Sequence, residues 1–206
     1  MSSAYISAEA RFMANFNERN LQRSRDDDIE WLDEKLYVEQ IECAEALAGK
    51  SLRQLEWGRQ FSVNVIKVNR GRRTFNMPSG NLELRRGDQL YLLGRAEDLR
   101  SLRLSLGIQE SMKLPSLRQF TAGQVDEATG VYAFALPVDK DSALRGKSIR
   151  DSGLRERYDC MILGVQRDKL PILQPDISMT MQNGDLVWVL GSRRMAEKLL
   201  AGAPTE

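Results

Sequence analysis

The sequence predicts an α+β protein built from two tandem small modules, each running βαββ-β-α around a mixed sheet and preceded by a helical linker. Three observations predict it. The chain repeats itself at an offset of 97 residues, and glycines and prolines punctuate both copies at the same places. Short runs rich in β-branched residues also alternate with short amphipathic stretches.

The repeat is visible residue by residue. Gly49-Lys50-Ser51 returns as Gly146-Lys147-Ser148, Gly87-Asp88 as Gly184-Asp185, and Leu93-Gly94 as Leu190-Gly191. Pro78 falls on Pro175 and Arg70 on Arg167. From Ala46 to Leu102 against Ala143 to Leu199, 14 of 57 positions are identical without a gap, and they concentrate at turns rather than scattering. Each copy has about the size of a minimal domain. The implied organisation is a helical linker at 1–35, a first module at 36–106, a linker at 107–130 and a second module at 131–202.

The elements follow in order. Tyr37 to Cys43 alternates as a strand, Gly49 to Leu55 reads as a short helix, and Phe61 to Val68 as a strand rich in β-branched residues. Asn69-Arg70-Gly71-Arg72 supplies a hairpin turn, and Arg73 to Met77 returns until Pro78 ends it. After the turn at Arg86-Gly87-Asp88 come a strand, Gln89 to Leu93, and an amphipathic helix, Ala96 to Leu106. The second copy repeats this over Tyr132 to Val138, Lys147 to Leu154, Cys160 to Gln166, Leu170 to Leu173, Leu186 to Leu190 and Arg193 to Leu200. Ahead of both, Ile6, Phe12, Phe16 and Leu21 form a loose helical pattern before Asp26-Asp27-Asp28. That pattern suits a solvated linker and a helix leading in from another domain equally.

Composition excludes several function classes. Thirty Lys and Arg against 29 Asp and Glu leave a net charge of +1, so no global field draws nucleic acid or anionic lipid. No histidine exists to build a triad or a His metal site. Cys43 and Cys160 cannot make a four-thiolate site and read as small core hydrophobes in a reducing compartment. No run of 18 apolar residues and no signal-peptide stretch occurs, which fits a cytosolic segment.

The motifs decline catalysis. A phosphate-binding loop needs a glycine five residues before Gly-Lys-Ser, but Ala44 and Asp141 stand there. Gly49 instead permits a tight turn and Ser51 caps the following helix. Asp88 and Asp185 precede strands and bond nearby amides rather than metals. No dinucleotide fingerprint and no carboxylate pair for acid–base chemistry stand out. The cluster Arg70, Arg72, Arg73, Arg85 and Arg86 is either a solvated rim or a hold for an anion or an RNA strand. Trp57 and Trp188 read as core or interface anchors. No enzyme activity is expected.

Both copies resemble the TrkA-C domain, also called RCK-C, of bacterial potassium and cation transporters. The resemblance rests on Ala48-Gly49-Lys50-Ser51-Leu52, Phe61 to Gly71, Pro78 and Arg86 to Gly94 in the first copy. In the second it rests on Arg145 to Tyr158, Pro171 to Pro175 and Asn183 to Gly191. It implies a non-enzymatic regulatory module that dimerises beneath a membrane transporter and senses a small ligand. Some members hold cyclic di-AMP in a groove between two such domains. The matching ligand-binding positions are Ser62, Asn64, Val65 and Pro78, with Arg72 and Arg73 near enough in sequence to meet phosphates. An equally simple role for Asn64 is to satisfy neighbouring backbone. In the second copy the positions are Asp159, Met161, Ile162 and Pro175, and Met161 lacks the amide that Asn64 offers a base edge.

The dinucleotide-binding domain that accompanies such modules is not in this sequence, so no NAD or ATP cofactor is implied. A small-molecule effector such as cyclic di-AMP or another nucleotide is. Ala10 to Arg19 resembles the juxtamembrane lead-in of a cation–proton antiporter, and an end soon after the second copy suits a tail. The expected function is therefore the cytosolic regulatory tail of a potassium or sodium/proton antiporter. It would act as a homodimer, on the cytoplasmic side of the inner membrane, without nucleic acid. The other readings are the central loop of an aspartate–alanine-exchanger-like or dicarboxylate permease, and a free-standing interaction or RNA-binding protein.

Overall fold

A computed structural model describes residues 30–108, 114–122 and 130–200. The helical linker expected over 1–35 therefore lies outside the described residues, except for its end, helix α1 (Glu30–Asp33). The chain divides into two compact units, residues 32–131, and residues 132 onward together with Glu30 and Trp31.

The first unit begins with strand β1 (Tyr37–Glu42), a 3-10 turn at Glu45–Leu47, and helices α2 (Leu52–Leu55) and α3 (Trp57–Phe61). A hairpin of β2 (Asn64–Arg70) and β3 (Arg73–Asn76) follows, then β4 (Gln89–Gly94) and helix α4 (Ala96–Ser105). The strand order is β1-β4-β2-β3 and every pairing is antiparallel. The sequence led to mixed sheets, with β1 and β2 in one sheet. They do run the same way, but β4 inserts between them and pairs antiparallel with both.

One face of the sheet carries Ile41, Val68, Leu90 and Leu92 against Leu55 and Trp57 of the short helices and Leu99 and Leu102 of α4. This is the core, and Trp57 is a core anchor in it. Cys43 belongs to the same cluster. Ser51 forms a reciprocal capping box with Gln54, as its position after Gly49 (φ 81) predicts. At the sheet's edge, Leu114 to Ser116 lies along β1, with Val38 N–H donating to the Pro115 carbonyl at 3.0 Å. Helix α5 (Leu117–Ala122) follows inside the stretch expected to be a plain linker. Its start carries a Ser-x-x-Gln pattern, and Ser116 and Gln119 do cap one another.

The second unit holds β5 (Val131–Pro137), a 3-10 turn at Arg150–Ser152, α6 (Leu154–Tyr158), β6 (Met161–Arg167), β7 (Leu170–Leu173), β8 (Leu186–Ser192) and α7 (Arg193–Leu200). Its order, β5-β8-β6-β7, is that of the first. Both sheets carry a β-bulge at the same place, between Val65 and Lys67 and between Ile162 and Gly164. The inner cluster is Phe134, Leu136, Val138, Leu154, Cys160, Val165, Met181, Val187 and Val189. The repeated Gly94 and Gly191 have a packing reason. A methyl group there would lie 3.1 Å from Val63 Cγ2 in one unit and 2.5 Å from Cys160 Sγ in the other. Cys43 and Cys160 are both buried free thiols, and burial pushes the Cys160 thiol up to about 12.

Candidate effector site

The strand expected from Phe61 begins only at Asn64. Phe61 ends α3, and Ser62 takes a left-handed conformation (φ 56) as its cap. The Ser62 and Val63 N–H groups both donate to the Trp57 carbonyl, which closes the helix and turns the chain into β2. Asp159 (φ 47) does the same after α6, where the Asp159 and Cys160 N–H groups donate to Leu154. On the returning strand, Met77 N–H donates to the Ile66 carbonyl at 2.8 Å, holding Pro78 beside the bulge; Gln174 and Leu163 repeat this before Pro175.

Ser62, Asn64 and Pro78 thus come together at one end of the β2–β3 hairpin. Asn64 is exposed, Ser62 half-buried and Pro78 buried. The Asn64 amide lies along α3, its Oδ1 3.6 Å from where a methyl on Gly58 would sit.

Three of the named residues do not join them. Val65, half-buried, packs against the core cluster on the helix-covered face, as Ile162 does in the second module. Arg72 and Arg73 are exposed at the opposite end of the hairpin, a strand of seven residues away. At about 3.3 Å per residue that is roughly 20 Å, too far to meet a phosphate beside Asn64 in the same module.

The arginine cluster also comes apart. Arg70 donates from Nε (2.8 Å) and Nη2 (2.7 Å) to Asp88 and from Nη2 to the Glu83 carbonyl (2.8 Å). Asp88 accepts in addition from the Arg85 N–H at 2.9 Å. Arg86 lies 3.6 Å from Glu45 on the surface. The second module builds the same clamp. Arg167 donates to both Asp185 oxygens (2.8 Å each) and to the Thr180 carbonyl, and Gln182 N–H donates to Asp185. Both aspartates are almost fully buried. Burial opposes their ionisation, but the arginine and backbone hydrogen bonds outweigh it and hold both carboxyls below the usual range. The sequence reading missed this pairing; the signal that could have found it is the recurrence of Arg70/Arg167 with Asp88/Asp185 at one offset.

Two features of the first module went unread in the sequence. Glu39, on the inner face of β1, pairs with Arg103 Nε of α4 at 3.1 Å, both largely buried. Burial pushes the Glu39 carboxyl up, and Arg103 partly offsets the rise. On the outer face, Asn69 Nδ2 donates to the Tyr91 hydroxyl, Thr74 to Asn69, and Gln40 to Gln89. Lys67 Nζ stands 5.6 Å from the centroid of the Tyr91 ring. Among the described residues no group of three or more Cys, Asp or Glu is placed to hold a metal ion, and no helix is long and apolar enough to cross a membrane.

The model of the TrkA-C domain matches residues 44–107 and again 133–201, and the chain belongs to that family of regulatory, non-enzymatic domains. A protein of Synechocystis sp. named as an uncharacterized transporter is 27% identical over 150 residues, covering 72% of this chain and 24% of that protein. A putative transport protein of Yersinia pestis is 29% identical over 125 residues, covering 61% and 20%. The chain therefore spans about a fifth to a quarter of the length of these relatives. Among solved structures, the RCK C domain of the potassium transport protein KtrA in complex with cyclic diadenosine monophosphate is 27% identical, covering 38% of this chain and 92% of that one at a TM-score of 0.35. The GsuK RCK domain is 13% identical, covering 82% and 64% at 0.36.

Proposed function

We propose that these two modules form the cytosolic, dimerising and ligand-sensing part of a membrane transporter, specifically a monovalent cation/proton antiporter. The observation that carries the regulatory reading is the tandem TrkA-C match in a chain whose relatives are named as transporters. The antiporter type rests on the lead-in Ala10 to Arg19. The effector site is the hairpin end at Ser62, Asn64 and Pro78, where an exposed amide offers both a donor and an acceptor to a base edge. With Arg72 and Arg73 placed elsewhere in the module, phosphates would be met by groups from a second copy in the homodimer.

Transport in everted membrane vesicles tests the reading. The parent protein should exchange potassium or sodium for protons, and deleting residues 30–200 should change its response to effector. Exchange of aspartate, alanine or a dicarboxylate in place of cations would replace the antiporter with the permease reading. Sedimentation of the chain at micromolar concentration should show a dimer, and a monomer throughout that range would contradict the dimerising role.

A further inference from the structure

In each unit an aromatic ring from outside the strand–hairpin–strand sequence meets the outer sheet face, the one turned away from the unit's own core. In residues 32–131 the ring is Phe120 of α5, its centroid 5.6 Å from that of Tyr91. In the other unit it is Trp31 of α1. Its contact is Gly164 of β6, the residue paired across the ladder with Trp188 of β8. A methyl group on Gly164 would lie 2.6 Å from Trp31 Cη2, 2.9 Å from the Ile172 carbonyl oxygen and 3.4 Å from Trp31 Cζ3, so the indole, together with the backbone of β7, occupies the space a side chain there would take.

The 97-residue offset places Lys67 at the position of Gly164. The first module fills the spot over its β4 aromatic with its own lysine, and the second leaves it bare for Trp31. The Trp31 indole N–H is buried with no hydrogen-bond partner among the described residues, so the contact there rests on shape and apolar burial rather than on a polar tether. Trp188 is fully buried yet lies outside the cluster that forms its module's core.

We propose that Trp31 is a docking anchor that fastens the segment entering the first module onto the outer sheet face of the second, at the seat left open by Gly164. The second module thereby holds α1 at Trp31. In the transporter reading, α1 is the element through which a change in the modules reaches the rest of the protein. The anchor itself stands independently of that reading.

Hydrogen–deuterium exchange on the full chain tests it. Trp31→Ala should accelerate amide exchange across 161–173 by about tenfold or more and leave 64–76 within about twofold of the parent chain, the scale on which local opening separates from global unfolding. Equal acceleration in both hairpins, or none in 161–173, would overturn the anchor. Should Trp31→Ala not fold, Trp31→Phe must show the same contrast at smaller amplitude, and its absence there overturns the anchor too. In chain labelled with 5-fluorotryptophan, Gly164→Ala should shift the Trp31 fluorine resonance and leave that of Trp57 in place; an unmoved Trp31 resonance counts against the proposal. A positive contrast in a chain that binds no effector would remove the sensing role and keep the anchor.

Discussion

The two modules share a skeleton and differ in what they place on it. Each has the antiparallel order, the bulge, the left-handed cap before the hairpin and an arginine clamped onto a buried aspartate. The first then puts charge and amides where the second puts apolar side chains. Backbone hydrogen bonds align Cys43 with Val138, which sets Phe134 opposite Glu39. The offset sets Gly164 opposite Lys67 and Met161 opposite Asn64. The positions retained in both are those the fold needs. The divergent ones are free to carry function, and the proposed effector site draws on them in the first module as the proposed anchor does in the second.

The largest expected effect comes from breaking what is shared. Asp88→Ala and Asp185→Ala each strip a buried carboxylate from an arginine and a backbone N–H, and each should destabilise its own module by about 3 kcal/mol in urea titrations. Similar losses are predicted because the two clamps match within 0.2 Å in their paired distances. A loss in only one module would show that the clamps are not equivalent.

Next is the ion pair that only the first module has. Glu39→Leu leaves Arg103 largely buried without its carboxylate and should cost about 3 kcal/mol, whereas Glu39→Leu with Arg103→Leu should recover most of that loss. A double variant as unstable as the single would mean the pair holds the first module's geometry in a way that an apolar replacement cannot.

The same groups give the modules different acid behaviour. The clamp carboxyls sit below their ordinary value in the folded state, so their stabilisation is present above pH ~4 and is lost as pH falls through the folded values. Glu39 has the opposite sign. Its folded value is raised, so its stabilisation is complete below the unfolded value and is lost as pH rises through the folded one. On acidification the first module should therefore lose less stability than the second, read by hydrogen exchange of β2 against β6. Glu39→Gln should abolish that difference. A smaller change still, about 1 kcal/mol, is expected for Ser51→Ala, which opens the capping box before α2.

The fold was legible because duplication doubles each weak signal. Turn glycines, Pro78/Pro175 and the helix-starting serines recur in register, and strand identity followed from them. Pairing direction was not legible, since β4 returns between β1 and β2 from far along the chain. Helix α3 was missed altogether, and its last residue was read as strand because Phe61, Val63 and Val65 alternate as a strand would, while the left-handed Ser62 leaves no mark in composition. The candidate site was half legible. Asn64 and Pro78 do converge, but a hairpin sends residues close in sequence to opposite ends, which is why Arg72 and Arg73 fall away from Asn64. Glu39 and Trp31 gave no motif to read, because each acts through a residue more than 60 positions distant.

Isothermal titration with cyclic di-AMP tests most directly the claim that the first module carries the effector chemistry. The account predicts binding by the parent chain, a loss of about 1–3 kcal/mol for Asn64→Ala, and no loss for Met161→Ala. No heat with cyclic di-AMP, or equal losses from the two substitutions, would contradict it.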